Sequence, residues 1–137
     1  QSQSTSNPNA IAQAATVEAL SGDQSFLTEW TKVFKERRDR VAELLNAVDG
    51  LECLVPEGAF YVYPSCAGLI GKKTPGGKVI ETDADFTAYL LDAVKVVCVP
   101  GEAFGLSPHF RISYAASLDF LEKACARIKE ACDALVA

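Results

Sequence analysis

From about residue 25 to residue 48, the apolar positions Phe26, Trp30, Val33, Phe34, Val41, Leu44, Leu45 and Val48 recur at steps of three and four. Lys32, Lys35, Glu36, Arg38 and Asp39 fall on the other face. That spacing predicts a long amphipathic helix packed along one side, and Asp49-Gly50 supplies its stop. A helix of this kind needs an apolar partner layer, and the rest of the chain offers short β-type runs to build one.

"LECLV" and "AFYVYPS" are such runs, separated by the turn signal "PEG", and they read as two strands. The stretch "GLIGKKTPGGKVIETD" reads as an exposed, mobile loop. Thr82 or Asp83 can cap a helix through "ADFTAYLLDAV", and "KVVCVPG" and "HFRISYA" follow as third and fourth strands. Ser117 caps a last helix whose inward positions are Leu121, Ala124, Cys125, Ile128, Cys132 and Leu135. Ahead of the long helix, Pro8 suits the first turn of "NPNAIAQAATVEAL", which Gly22 ends. The predicted class is α+β, a small sheet of about four strands with helices covering one face.

A chain of 137 residues, 49% of them apolar, suffices for one globular domain with a real core. Its net charge of -5 gives the wrong long-range sign for a nucleic-acid backbone. No apolar run is long enough to span a bilayer, and "QSQSTSNPN" lacks the features of a signal peptide, so the expectation is a soluble, cytoplasmic protein with no membrane partner. The five cysteines form no CxxC pair, which disfavours both a disulfide framework and a metal site. The absence of methionine and the opening at Gln1 suggest a piece of a longer protein.

Within "HFRISYA", alternation places Phe110, Ile112 and Tyr114 on one face and Arg111, Ser113 and Ala115 on the other. Small residues around Arg111 leave room for a planar anion to meet the guanidinium through two parallel hydrogen bonds. The plainer reading is a solvent-facing arginine or a salt bridge to a nearby glutamate. The same parity pairs Phe60 with Val62 and Tyr61 with Tyr63, as core packing or as a pocket wall. His109 reads as a loop residue, "GKKTPGGK" lacks phosphate-loop spacing, and no serine sits in a nucleophile elbow. The cysteines have no basic neighbour placed to activate them.

Taken in order, "PEGAFYVYPS", "VVCVPGEAFG" and "FRISYAAS" with a closing amphipathic helix resemble the C-terminal small domain of the class I aminotransferases. "STSNPNAIAQAATVEAL" resembles the segment that, in the bacterial aspartate aminotransferase branch, follows the cofactor lysine. The resemblance implies a domain organisation in which residues 1-24 are a strip and helix leading from a large domain, and residues 25-137 are the small domain. It implies that the parent moves an amino group between an amino acid and a 2-oxo acid through pyridoxal 5'-phosphate, as a homodimer.

By the same resemblance, Arg111 corresponds to the arginine that grips the substrate α-carboxylate. Phe60 corresponds to the aromatic wall beside substrate and cofactor. Thr5, Ser6 and Asn7 correspond to the strip that approaches the partner subunit's active site. None of Lys32, Lys35, Lys72, Lys73, Lys78, Lys95, Lys123 or Lys129 stands in the family's Schiff-base lysine motif. The isolated chain is therefore expected neither to hold the cofactor tightly nor to transaminate. A competing expectation is a stand-alone module that binds a small carboxylate, or another protein, without chemistry.

Overall fold

The computed structural model describes residues 7–137, in two compact units, Gln1–Val33 and Phe34–Ala137. In the first unit, helix α1 covers Ala10–Ser21. Its N-cap is Asn9, whose side-chain oxygen accepts from the Ile11 N–H at 2.8 Å, so Pro8 stands just outside the helix. The Gly22 N–H closes the other end on the Glu18 carbonyl. This helix buries none of its residues, and Ile11, Val17 and Leu20 are all exposed.

Helix α2 runs from Phe26 to Asn46. The apolar stripe that predicts it divides in two. Val41, Ala42 and Leu45 are buried, as is Val48 beyond the helix, whereas Phe26, Trp30 and Val33 are exposed. Burial along one side is thus seen in the C-terminal half.

In the second unit, β1 (Tyr61–Val62), β2 (Val99–Pro100) and β3 (Phe110–Ser113) form a three-stranded antiparallel sheet in the order β1-β3-β2. The register sets Tyr61 opposite Ser113, Val62 opposite Ile112, and Val99 opposite Arg111. Helix α3 covers Asp83–Val94 and α4 covers Leu118–Asp133. Thr82 and Ser117 are their N-caps, each hydroxyl accepting an N–H of the first turn. The Tyr89 hydroxyl ties α3 to α4 by donating to the Ala131 carbonyl at 3.0 Å.

The α+β class is the one expected, and in β3 and just beyond it Phe110 and Tyr114 are buried as the predicted parity requires. Val62, Phe110 and Tyr114 are buried with Phe86 and Leu90 of α3 and with Leu121, Cys125 and Ile128 of α4. Phe86 meets Phe110 edge to face, at 5.2 Å between centroids.

Two segments depart from the sequence reading. "LECLV" supplies only the bridge between Glu52 and Ser65, because both backbone groups of the next residue, Cys53, are taken by the Asn46 side-chain amide at 2.8 Å each. The run 68–83 is not simply an exposed loop. Leu69, Thr74 and Ile80 are buried along it, and Lys73 exchanges backbone hydrogen bonds of 2.7 and 2.9 Å with Val136. Its glycines and lysines mark local turns, while its aliphatic residues are anchored in the core. Among the described residues, no helix is long and apolar enough to cross a membrane.

Candidate functional site

Arg111 lies on the sheet face opposite the buried Phe110 and Tyr114, two residues along β3 from Ser113, which faces Tyr61 across the strands. That diagonal brings the Tyr61 ring under the guanidinium, 4.4 Å from Cζ to the centroid. Phe104, from the 3-10 turn Gly101–Phe104, covers the opposite side at 4.3 Å. The planar cation is held between two aromatic faces, each attractive through its ring quadrupole. Among the described residues no carboxylate lies within ion-pair distance of Arg111. The salt bridge of the plainer reading is absent, and so is a side chain extended freely into water: Arg111 is half-buried.

Phe60 extends this surface, its ring centroid 4.4 Å from that of Tyr61 and 43% of the residue exposed. The parity that grouped Phe60 with Val62 fails here, since Val62 is fully buried. Phe60 stands in a bend one residue ahead of β1, where the alternation of an extended strand does not yet apply. Phe60, Tyr61, Arg111 and Phe104 form one continuous wall of three rings and one cation.

Beneath Phe104, the segment from Gly101 to His109 folds back on itself. The Gly101 N–H donates to the His109 carbonyl at 2.7 Å, and the Tyr63 hydroxyl donates to the carbonyls of Gly101 (3.0 Å) and Leu106 (3.3 Å). A Cβ at position 101 would stand 2.1 Å from the Leu106 carbonyl oxygen, so only glycine fits. The His109 ring stacks on Tyr63, 5.4 Å between centroids and 13° between planes, which makes His109 a structural residue. Burial, and then the Asp83 charge, push the Tyr63 phenol above its ordinary range, with the Arg111 charge acting the other way. The carboxylate of Asp83 is buried and accepts hydrogen bonds from this same segment.

Asn7 is exposed ahead of α1 in the first unit, and Thr5 and Ser6 lie outside the described residues. All five cysteines are free thiols. Burial pushes Cys53 and Cys125 up to about 11 and Cys66, Cys98 and Cys132 up to about 12, which fits inert packing residues. Among the described residues no cluster of metal-ligating side chains occurs.

Sequence reasoning did not single out Tyr61, Phe104 or Asp83 for this site. Tyr61 was within reach of it, because pairing β1 with β3 places it diagonal to Arg111. Nothing in "GEAFG" alone announces that its phenylalanine turns back over a neighbouring strand.

The chain matches the family model described as aminotransferase class I and II over residues 1–128. It is 60% identical over 135 residues to an aspartate aminotransferase of Rhizobium meliloti, covering 98% of this chain and 33% of that protein. It is 53% identical to an aspartate/prephenate aminotransferase of Cereibacter sphaeroides, with 98% and 34% covered. Among solved structures, the aspartate aminotransferase from Rhizobium meliloti superposes with a TM-score of 0.93 at 60% identity, over 98% of this chain and 34% of that one. An alanine aminotransferase from Pyrococcus furiosus gives 0.78 at 31% identity, over 90% and 30%. The chain spans about a third of the length of the curated relatives it matches, and corresponds to their C-terminal part.

Proposed function

The chain belongs to the class I and II aminotransferases, and we propose that it is the small domain of an aspartate-type aminotransferase in which Arg111 anchors the substrate α-carboxylate. One observation carries this reading: a guanidinium covered on both faces by Tyr61 and Phe104, with no ionic partner among the described residues. The two rings shield the faces of the cation and leave its N–H groups to act in its own plane. A carboxylate arriving in that plane can accept two parallel hydrogen bonds, and its own plane is then fixed. Phe60 supplies an apolar wall beside the bound acid and keeps water from it. Fixing one carboxylate in this way orients the α-carbon, the kind of positioning that lowers a barrier by several kcal/mol.

The whole protein, on this reading, is a cytoplasmic homodimer that moves an amino group between an amino acid and a 2-oxo acid. Thr5, Ser6 and Asn7 approach the partner subunit's site. Pyridoxal 5'-phosphate supplies the electron sink of such chemistry when it is bound. The residues of this chain do not fit that cofactor by themselves. None of the eight lysines stands in the family's Schiff-base motif, and five are engaged elsewhere: Lys32, Lys78, Lys123 and Lys129 with Glu29, Asp85, Asp119 and Asp133, and Lys95 with the Asp92 carbonyl. On this reading the chain alone is expected to transfer no amino group.

The test is Arg111→Lys and Arg111→Ala in the full-length protein that carries this chain. Lysine keeps the charge but loses the planar fork, so both variants are expected to lose about a hundredfold or more in kcat/KM for amino-acid donors. Unchanged kcat/KM in a folded Arg111→Ala protein defeats the proposal.

A further inference from the structure

We propose that Asp83 is a positioning residue for the Arg111 site, holding the turn that carries Phe104 at the height at which its ring covers the guanidinium. This rests on the carboxylate-anchor reading of Arg111, but its structural core can be tested without any substrate.

Asp83 is the first residue of α3, where an acidic side chain ordinarily serves the helix end. That service is already performed by its neighbours. The Thr82 hydroxyl accepts the Asp85 N–H, and the Asp85 carboxylate accepts the Thr82 N–H at 3.2 Å, a complete capping box. Asp83 is only 1% exposed, and its Oδ2 accepts from the Glu102 N–H at 3.2 Å, the Ser107 hydroxyl at 2.7 Å and the His109 N–H at 3.3 Å. Burying a carboxylate is costly unless hydrogen bonds repay it, and here all three donors come from one segment. They lie on both sides of Phe104.

Packing alone holds Phe104 weakly: it is 49% exposed and outside the core cluster, and its ring rests edge-on against Tyr63 at 6.2 Å between centroids. What fixes it is the closed frame around the turn: Asp83 from α3, the Tyr63 hydroxyl on the Gly101 and Leu106 carbonyls, and the Gly101–His109 bond across the base. Of these, the Tyr63 hydroxyl spans the turn through two carbonyls, and Asp83 through three donors gathered on one oxygen atom. Its other oxygen, Oδ1, is buried with no hydrogen-bond partner among the described residues. The whole polar capacity in use is therefore spent on this turn. The consequence is a remote dependence: a residue that touches neither Arg111 nor substrate decides whether the guanidinium is sandwiched or covered on one side.

The experiment compares Asp83→Ala, Asp83→Asn and Ser107→Ala in the full-length protein by crystal structure and by steady-state kinetics. In Asp83→Ala the Phe104 ring is expected to leave Arg111. KM for the amino donor is expected to rise about tenfold, with kcat changed less than KM. Asparagine keeps an acceptor at the same place and is expected to restore KM to within about threefold of the parent value. If Asp83→Ala does not fold, Ser107→Ala, which removes the shortest of the three bonds and leaves the carboxylate in place, is expected to show the same displacement to a smaller degree. A Phe104 ring still 4.3 Å from Arg111 in folded Asp83→Ala overturns the proposal, as does asparagine failing to rescue KM. Should Phe104 move and KM stay unchanged, the positioning of the ring stands and the carboxylate-anchor reading of Arg111 falls instead.

Discussion

The buried Tyr114 hydroxyl donates to the carbonyl of Ala59 at 2.9 Å, across the base of the turn that leads into β1. Ala59 sits in the left-handed region at φ 59°, a conformation that disfavours a residue with a Cβ by about 1–2 kcal/mol. The Tyr114 bond offsets this and, with the Tyr114 N–H on the Phe60 carbonyl, aims Phe60 at the open side of the sheet. Tyr114→Phe is therefore expected to cost about 1 kcal/mol in urea denaturation, with an unchanged m-value. Stability equal to the parent would mean that the turn holds its shape without this bond.

Gly101→Ala is expected to be among the most damaging single-methyl additions in the chain. Two backbone carbonyl oxygens, of Leu106 at 2.1 Å and His109 at 2.7 Å, occupy the space a Cβ needs, and neither belongs to a side chain that can swing away. A loss of about 3–4 kcal/mol, or failure to fold, is the expected result by denaturant titration. A loss below about 1 kcal/mol would show that the 101–109 segment yields readily.

Phe104→Leu keeps apolar bulk but removes one of the two ring faces on Arg111. A cation–π contact of this kind is worth about 0.5–2 kcal/mol. Isothermal titration of the full-length protein with a dicarboxylate substrate analogue is expected to show weaker binding by about three- to tenfold, with the melting temperature little changed. Equal affinity would assign the ring no part in holding the guanidinium.

The thiols give the fold an alkaline limit. The folded pKa values of Cys66 and Cys132, raised by burial to about 12, stand above the value of 9.0 taken for a free thiol. The unfolded chain therefore gives up these protons first as pH rises. Their neutral burial contributes its full stability below pH 9 and loses it progressively as pH climbs from there toward 12. Melting temperatures measured from pH 7 to pH 11 are expected to fall above pH 9, and Cys66→Ala is expected to flatten that fall. Identical slopes in the two proteins would remove Cys66 as a cause.

The helices were legible in the sequence because their signals are local: Thr82, Ser117 and Gly22 stand at the ends their chemistry favours. Arg111 was legible as the odd residue on a face of small ones, for the same reason. Phe60 was misplaced because parity counting assumes an extended backbone at every step, and Phe60 lies in the bend just ahead of β1. Asp83 looked like one of two candidate caps. Its real partners, Glu102, Ser107 and His109, come from a turn beyond the end of α3, and no local pattern brings them together. The apolar residues of 69–80 were hidden among glycines and lysines that describe only the turns between them.

The pairing of Lys73 with Val136 joins two parts of the chain with α3, the sheet strands β2 and β3, and α4 all lying between them. A contact of such sequence separation has a high closure entropy and cannot form early, when the intervening segments are still searching. It acts as a late clasp, a brake on opening with no part in nucleation. Removing residues 134–137 is accordingly expected to quicken the unfolding limb of a chevron plot and leave the refolding limb where it was. A slowed refolding limb would place the clasp in the folding nucleus instead.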